Sequence, residues 1–237
     1  MNELRSGPEK HTPRRAFDLL CGAFGLLLLS PLLVVLALLI LLRDGRPVLF
    51  SQMRVGQYGI RFRIWKFRTM RTGETGRAIT AAGDSRITGT GAWLRKFKLD
   101  ELPQLFNVLI GDMSLVGPRP EVPEYVDARS PMWQAVLRVR PGITDLATLV
   151  YRNEEELLHA FSDADTFYRD ALLPAKLGLN LAYIRTRSFW QDIRLICLTV
   201  SYSMSPERFT PARIRRAFIK GTQYAENLHS VSPAIDR

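Results

Sequence analysis

A chain of 237 residues can bury one hydrophobic core with appendages, which favours a single main domain. Its 33 Lys and Arg against 23 Asp and Glu give a net charge of +10, which suits nucleic acid, anionic lipid headgroups or phosphorylated small molecules. Two isolated cysteines and three scattered histidines argue against a disulfide framework, a thiolate metal site and a histidine zinc site, so any metal would bind carboxylate and phosphate oxygens.

An apolar segment without a single charge covers residues 19–42 and consists mainly of Leu, Val and Ile. As one straight helix it would be about 36 Å long, enough to cross a hydrocarbon core of about 30 Å. A signal peptide would have a shorter apolar region and a small-residue cleavage site, and a core helix is rarely apolar on every side. The segment is therefore predicted to lie in a membrane.

Ser30 and Pro31 fall at the middle of this segment and leave two arrangements open. Pro31 has no N–H for the carbonyl of Leu27, and each half alone, at about 18 Å, is too short to span. Basic residues, which favour the cytoplasmic side, flank both ends: Arg14, Arg15, Arg43 and Arg46. A helix that enters, breaks and returns satisfies both observations. A kinked spanning helix is the alternative, since membrane helices tolerate proline.

Residues 47–53 and 60–68 are predicted to form two strands joined by a turn at residues 56–59. In the second strand, alternation places Lys66 and Arg68 on the same face as the apolar Ile64. Either a bulge switches the faces, or both cations point inward and need an anion. A frayed strand end with solvated charges is the simpler alternative.

The rest of the chain is predicted to be mainly helical. Residues 73–91 are rich in Gly, Thr and Ala, indicate a loop, and contain neither a dinucleotide fingerprint nor a P-loop. The basic and apolar stretch 209–220 predicts an amphipathic helix, lying either on a membrane surface or against the protein. Other helices are predicted at residues 102–109, 132–138, 154–161 and 189–200.

Acids, cations and a rigid turn occur together within residues 95–121. Asp100 and Glu101 precede Pro103 at a predicted helix start, where capping and the helix dipole would be a sufficient explanation for an isolated pair. Here Arg95 lies just upstream, and the sequence Gly-Pro-Arg-Pro-Glu places Arg119 on a stiff turn. Such a combination at a helix N-terminus suits a magnesium-bound pyrophosphate.

The adjacency of Asp100 and Glu101 restricts the chemistry further. Two acids that cleave a glycosidic bond sit about 5 Å or more apart across the substrate, a separation that neighbouring residues reach poorly. One nucleophile beside one metal ligand is a better use of an adjacent pair.

Five motifs make the sequence resemble the bacterial sugar transferases, the monotopic polyprenyl-phosphate phosphoglycosyl transferases of surface-glycan assembly. They are LLLLSP at residues 26–31, KFRTM at 66–70, LDELPQLFNVLIGDMSLVGPRPE at 99–121, RPGIT at 140–144 and RSFWQDIRL at 187–195. The resemblance runs from about residue 14 to residue 202. The long central motif is highly specific, whereas KFRTM alone would not be.

The resemblance implies a mostly helical α/β fold with a small β-hairpin or sheet. A re-entrant membrane helix broken at Ser30-Pro31 would carry a compact cytoplasmic catalytic domain with amphipathic interface helices. The expected divisions are a tail at residues 1–15, the membrane helix at 16–43, the catalytic domain at 44–220 and a second tail at 221–237. The expected location is the cytoplasmic face of the bacterial inner membrane.

The resemblance also implies the reaction and its residues. Asp100 would attack a UDP-sugar and Glu101 would bind Mg²⁺, and a polyprenyl phosphate would then receive the sugar phosphate. Other expected partners are membrane lipid and, left open, a second copy of the chain; nucleic acid is not expected. The residues expected near the phosphates are Arg95, Arg119 and, with weaker support, Lys66, Arg68 and Arg152.

The chain departs from the family's pattern after residue 144. Many members have glycine where this chain has Asp145, and here an acidic helix follows Arg152. This leaves the role of Arg152 and the sugar pocket open, but not the acidic pair.

Two other functional classes remain as alternatives. A membrane-tethered nucleic-acid binder would need basic and aromatic residues on one platform, yet the acids here lie inside the basic motif. A non-catalytic scaffold of a glycan assembly complex would not need an intact Asp100-Glu101 pair with Arg119.

Overall fold

The computed structural model describes residues 13–71, 80, 82–208, 210, 214 and 218. Residues 1–12 of the predicted N-terminal tail, the whole predicted tail at 221–237 and most of the stretch 209–220 lie outside these residues. Within them, helices predominate over two small sheets, which confirms the expected fold class. The elements are α1 (Pro13–Arg43), β1 (Leu49–Val55), β2 (Arg61–Phe67), α2 (Gly89–Lys96), α3 (Gln104–Ile110), β3 (Ser114–Val116), α4 (Pro131–Val136), β4 (Gly142–Thr144), α5 (Leu146–Val150), α6 (Glu154–His159), α7 (Ala164–Phe167), α8 (Leu173–Thr186) and α9 (Phe189–Met204).

Helix α1 is helical throughout Pro13–Arg43, with Pro31 inside it, and the predicted break of its axis at Ser30-Pro31 stays a prediction. A side chain supplies the donor that proline lacks. Ser30 Oγ donates to the Leu27 carbonyl at 2.8 Å, which satisfies the acceptor left free by Pro31. How this helix sits in a membrane stays a prediction.

The outer surface of α1 is apolar and uncovered. Leu27 and Leu42 are 75% and 83% exposed. Among the described helices, α1 is the one that is long and apolar enough to cross a membrane, judged by length and composition. A continuous exposed surface of this kind is costly in water, so the structure fits membrane association.

Both ends of α1 nevertheless contact the same folded body. Near its start, Arg15 donates to the carbonyls of Val108 and Leu109 at 2.7 and 3.0 Å, at the carboxyl end of α3. Near its end, Ile40 is fully buried in a cluster with Leu94. The helix therefore packs along the domain rather than projecting away from it.

Strands β1 and β2 form an antiparallel hairpin whose register runs unbroken from the Leu49–Phe67 pair to the Val55–Arg61 pair. This agrees with the predicted hairpin and excludes a bulge within it. Phe62 and Ile64 on one face of β2 pack against α3 and the segment that follows it.

A second, parallel pair of strands was not predicted. Strands β3 and β4 pair Ser114 with Gly142 and Val116 with Thr144. The two segments approach closely because Gly117 and Gly142 lie against each other without side chains. A Cβ on Gly117 would lie 2.3 Å from the Arg140 carbonyl oxygen. This pair carries the rigid turn that follows residue 116.

Helix α2 corrects the prediction of a loop up to residue 91. Thr88 caps it by accepting from the N–H of Gly91 at 2.9 Å. Gly91 also lets the helix lie against the neighbouring chain, since a Cβ there would fall 2.1 Å from the Thr69 carbonyl oxygen. Tertiary contact here outweighs the low helix propensity of glycine.

The largest apolar cluster joins helices α4, α5, α8 and α9. Between α7 and α8 the chain forms one π-helical turn, Tyr168–Leu172, so the two helices run on almost continuously. Such turns are rare and often position a functional side chain. Here the turn begins at Tyr168, which reaches the cavity described next.

Candidate active site

Asp100 and Glu101 lie on a short 3-10 turn, Leu99–Glu101, which connects α2 to α3 and is called the dyad turn below. Lys98 immediately before it adopts a left-handed conformation with φ of 56°, which is uncommon for a residue with a side chain. The chain therefore reverses sharply before the two acids. Both carboxylates are buried rather than exposed at a helix start.

Glu101 is held by two cations. Arg119 donates to both of its oxygens, with Nη1 at 3.1 Å from Oε2 and Nη2 on Oε1, and Lys66 Nζ donates to Oε1 at 3.0 Å. Burial alone would raise the pKa of Glu101, but Arg119 and Lys66 hold it well below its usual range. Glu101 is therefore a fixed anion that orients both cations.

Asp100 has the opposite surroundings. Its Oδ1 is buried and has no hydrogen-bond partner among the described residues, and its side chain lines a cavity. Burial and the neighbouring Glu101 raise the pKa of Asp100 above its usual value, and Lys66 and Lys98 offset only part of this rise. One oxygen of this carboxylate thus carries no hydrogen bond from the described residues, although the residue lines the cavity.

The arginine turn is fixed from behind by Asp145. The backbone N–H of Arg119 donates to Asp145 Oδ2 at 2.8 Å, and the N–H of Thr148 donates to Oδ1. Asp145 is fully buried and therefore both caps α5 and holds the Arg119 turn. Asp145 therefore has a structural role in this chain.

The structure separates the predicted pair Lys66 and Arg68. Because the hairpin has no bulge, Lys66 points inward to Glu101, and burial lowers its pKa to about 8 despite that carboxylate. Arg68 is also buried, but it donates to three backbone carbonyls beyond the end of α1, including that of Asp44 at 2.6 Å. Arg68 thus holds the α1–β1 connection, and because it also lines the cavity, its place near the phosphates stays a prediction.

Arg95 and Arg152, which were predicted near the phosphates, both line the cavity, and neither forms a hydrogen bond with Asp100 or Glu101. Arg95 Nη2 pairs with Glu155 on α6 at 2.5 Å. Arg152 Nη2 donates weakly to the Lys96 carbonyl at 3.4 Å. A phosphate would have to displace Glu155 to use the full guanidinium of Arg95.

The cavity has a volume of about 760 Å³, within the usual range of small-molecule sites. Ten of its described lining residues are basic and five are acidic. Such a surplus in a partly closed site concentrates positive potential where a polyanion would bind. Asp100 therefore faces a cavity suited to a nucleotide with linked phosphates.

Four further side chains line the cavity and form what we call the polar network: Glu121, Glu154, Tyr168 and Lys176. Tyr168 donates to Glu121 at 2.5 Å, and the buried Lys176 donates to Glu154 at 2.9 Å and to the Tyr168 hydroxyl at 3.3 Å. Glu121 ends the central motif, which could have drawn attention to it. No sequence signal marked Lys176 or Tyr168, which come from distant helices.

Two features of the dyad would suit a magnesium ion that arrives with a pyrophosphate. Asp100 Oδ1 is unpaired, and Glu101 Oε2 accepts one bond and keeps a lone pair. Magnesium is commonly held by one or two carboxylates together with substrate phosphates. No group of three or more His, Cys, Asp or Glu side chains that could hold a metal ion occurs among the described residues.

The sequence profile described as bacterial sugar transferase matches residues 9–206 of this chain. Among curated relatives, an undecaprenyl-phosphate glucose phosphotransferase from Komagataeibacter xylinus is 40% identical over 196 residues, covering 79% of this chain and 35% of the relative. A UDP-glucose:undecaprenyl-phosphate glucose-1-phosphate transferase from Caulobacter vibrioides is 39% identical over 193 residues, covering 79% and 68%.

A third relative, from Aeromonas hydrophila, is named UDP-N-acetylgalactosamine-undecaprenyl-phosphate N-acetylgalactosaminephosphotransferase. It is 38% identical over 193 residues, which cover 79% of this chain and 42% of the relative. The matched region thus spans between about one third and two thirds of the length of these three relatives.

Proposed function

This chain belongs to the bacterial sugar transferase family, and on that premise we propose that it is a phosphoglycosyl transferase. It moves a sugar 1-phosphate from a UDP-sugar to undecaprenyl phosphate and releases UMP. This is the first membrane step in the assembly of a surface glycan or exopolysaccharide. The names of the Caulobacter and Aeromonas relatives, which contain both a UDP-sugar and undecaprenyl phosphate, support this choice of substrates.

One observation carries the proposal: Asp100 lines a basic cavity while its buried Oδ1 has no hydrogen-bond partner among the described residues. Its neighbour Glu101 already neutralises part of the charge of Arg119 and Lys66. An oxygen that accepts no hydrogen bond is free to form a bond to phosphorus. The arrangement supports Asp100 as nucleophile and Glu101 as the residue that organises the cations.

In the first step, Asp100 attacks the phosphorus that carries the sugar. The bond from this phosphorus to the bridging oxygen breaks, and UMP leaves with that oxygen and its electron pair. Arg119 and Lys66 are placed to neutralise charge that develops on the phosphoryl oxygens. The sugar phosphate is then joined to the Asp100 carboxylate as an acyl phosphate.

In the second step, an oxygen of undecaprenyl phosphate attacks the same phosphorus. The bond to Asp100 breaks, the carboxylate is restored, and a lipid-linked diphosphate sugar is formed. When bound, magnesium would offset the negative charge of the pyrophosphate, with Asp100 and Glu101 as its protein ligands. Both terminal nitrogens of Arg119 donate to Glu101. The ion pair can therefore persist during the reaction only if the guanidinium donates to the phosphate and to Glu101 at the same time.

The test is to incubate the full chain with a UDP-sugar in the absence of undecaprenyl phosphate. We expect one equivalent of UMP and a protein whose mass has increased by one sugar phosphate. Peptide mapping should place the adduct on Asp100. Screening several UDP-sugars in parallel identifies the donor.

Two results would contradict parts of this proposal. An adduct on Glu101 would exchange the roles of the two acids. No adduct, together with kinetics of a ternary complex, would replace the covalent route by direct transfer. If no UDP-sugar gives UMP even with undecaprenyl phosphate and magnesium, the chain is not this enzyme and the scaffold alternative gains support.

We also propose that both flanks of α1 lie on the cytoplasmic side of the inner membrane. The support is geometric, because Arg15 and Ile40, which are near opposite ends of α1, contact the same folded body. A helix that spans the bilayer would carry one of these residues to the far side. The re-entrant topology keeps the cavity at the depth of lipid phosphates.

Single cysteines at Arg5 and Arg61, in a background with both native cysteines replaced by serine, test this topology. We expect neither position to react with a membrane-impermeant reagent added to intact cells whose outer membrane has been permeabilised. Labelling at position 5 would show a spanning helix. The variant Pro31→Leu serves as the comparison, because restoring the missing N–H favours a straighter helix and should expose position 5 in part of the population.

A further inference from the structure

The polar network differs from the rest of the cavity in its charge balance. Its two carboxylates, Glu121 and Glu154, are matched by Lys176 and by Arg54, whose Nη1 lies 3.6 Å from Glu121. Elsewhere along the cavity, basic residues predominate. A phosphate gains little from a region that is already neutral, whereas a neutral ligand rich in hydroxyl groups finds both donors and acceptors there.

The central motif fixes the distance between this region and the phosphate-binding arginine. Glu121 follows Arg119 by two residues, so their Cα atoms are at most about 7 Å apart. Both side chains line the same cavity. A group held at Glu121 therefore lies in the same cavity as a phosphate held at Arg119, on a neighbouring part of its wall.

Thr148 supplies an unsatisfied group beside the same arginine. Its N–H shares the Asp145 carboxylate with the N–H of Arg119, which places α5 directly next to the arginine turn. Thr148 lines the cavity, and its Oγ1 is buried without a partner among the described residues. A buried hydroxyl of this kind costs free energy until a ligand supplies a partner.

The segment that contributes Glu154 is also the one that departs from the family's usual pattern. Helix α6 follows Arg152 as an acidic insertion, and its first residue reaches Lys176. The relatives named above carry different sugars in their names. Because Glu154 lines the cavity and accepts from Lys176, α6 is a suitable place for selection among sugars.

We infer that Thr148 and the polar network form the subsite that recognises the hydroxyl groups of the donor sugar. This rests on the proposed function and adds its specificity-determining residues. Glu121 and Glu154 accept from sugar hydroxyls, Lys176 and Tyr168 donate to them, and Thr148 satisfies the hydroxyl nearest the phosphate. Arg119 and Asp100 act on the phosphate and leave the identity of the sugar to this subsite.

Two conservative variants test the inference: Thr148→Val and Tyr168→Phe, each of which removes one hydroxyl group. UMP release is measured with UDP-glucose, with its epimer UDP-galactose and with UDP-N-acetylglucosamine. We expect the ratio of kcat/KM between the best donor and the others to change by about tenfold or more, because each lost hydrogen bond affects only donors that make it. The affinity for UMP, which lacks the sugar, should not change.

The matched control is Thr186→Val on α8, where the hydroxyl donates to a carbonyl of its own helix at 3.2 Å and lies outside the cavity lining. This variant should keep the wild-type donor ratios. A double variant, Lys176→Met with Glu154→Gln, removes a matched pair of charges and avoids leaving one buried charge alone. It should change the donor ratios most.

Each outcome decides the question. Variants that lower kcat/KM equally for every donor would show that these residues serve the fold, and a parallel loss of UMP affinity would assign them to the nucleotide. Both results overturn the sugar subsite. A wild-type chain that releases UMP from no UDP-sugar would refute the proposed function itself, and is therefore distinguishable from failure of the subsite alone.

Discussion

The dyad turn and the polar network line the same cavity but treat buried charge in opposite ways. In the polar network, Glu121 and Glu154 both accept from neighbouring donors. At the dyad turn, Glu101 takes the nearby donors and leaves Oδ1 of Asp100 with none. Asp100 and Glu101 are adjacent in one turn, yet one has an unpaired oxygen and the other is paired at both oxygens. The two carboxylates of the polar network, which are distant in sequence, are both paired.

This difference separates reaction from recognition. A hydrogen bond to an attacking lone pair must break before a bond to phosphorus can form, so a nucleophile benefits from being unpaired. Groups that only recognise a ligand can remain paired with one another and exchange partners when it binds. The cost of an unpaired buried carboxylate is therefore expected only at Asp100.

Replacing Asp100 by Asn is expected to have the largest effect. The amide keeps the shape but cannot form the acyl phosphate, so turnover should fall by a factor on the order of 10³ or more while UDP-sugar binding remains. Because Asp100 is a buried charge with an unpaired oxygen, the variant should unfold at the same or a higher temperature than wild type. UMP release, donor calorimetry and thermal unfolding measure these three quantities.

The neighbouring variant Glu101→Gln provides the contrast. It leaves Arg119 and Lys66 without their anion, so the free energy of unfolding should fall by a few kcal/mol, as expected when one member of a buried ion pair is removed. Full activity in Asp100→Asn, or equal losses of stability in both variants, would show that the two acids do not have the separate roles that their contacts indicate.

Arg119→Lys tests the cationic side of the dyad turn. An ammonium keeps the charge but cannot donate to both oxygens of Glu101 and to a phosphate in one plane, so we expect kcat/KM to fall by about 10- to 100-fold with the fold intact. The control is Arg169→Lys, an exposed arginine that pairs with Asp165 outside the cavity lining. Near-normal turnover in Arg119→Lys would assign the guanidinium to the fold.

Local sequence patterns predicted those helices and strands that have a clear hydrophobic periodicity and are bounded by turn residues. The hairpin, α3, α4, α6 and α9 all appear near their predicted positions, and the inward alternative for Lys66 is confirmed by its bond to Glu101. The meeting of the dyad with Arg119 also agrees with the prediction that the central motif forms one site.

The remaining features depend on contacts between distant parts of the chain. Helix α2 can form because Gly91 lies on the backbone near Thr69, and Arg68 donates to carbonyls beyond the end of α1. Lys176 and Tyr168 have no local pattern that marks them, since their importance comes from Glu121, 47 residues or more away. Spacing alone does not contain this information.

We expect the pH dependence of kcat/KM for the donor to follow the deprotonation of Lys66. Its folded pKa of about 8 lies below the ordinary value of 10.5 because burial disfavours its charge. Raising the pH through 8 therefore removes a cation from the cavity, and kcat/KM should fall by up to about tenfold between pH 7 and pH 9.5. Lys66→Arg, which stays charged, should move this decline to higher pH.

Stability should change in the opposite direction. Between pH 8 and 10.5 the unfolded chain binds the Lys66 proton and the folded chain does not, so this residue makes the ligand-free protein more stable as the pH rises through that window. Comparing wild type with Lys66→Arg isolates this contribution. Parallel declines of kcat/KM in both proteins would show that another group controls the activity profile.

The smallest effect is expected at Asp145, which supports the dyad turn from behind. Asn is as good a helix N-cap as Asp, but its amide nitrogen cannot accept the second of the two N–H groups that Asp145 now binds. Asp145→Asn should therefore keep the α5 cap, loosen the Arg119 turn and lower kcat/KM several-fold. Asp163→Asn is the matched control, because Asp163 caps α7 by accepting from Thr166 and does not line the cavity. It should leave both activity and unfolding temperature unchanged. If Asp145→Asn behaves like this control, the hydrogen bond to Arg119 contributes nothing to catalysis.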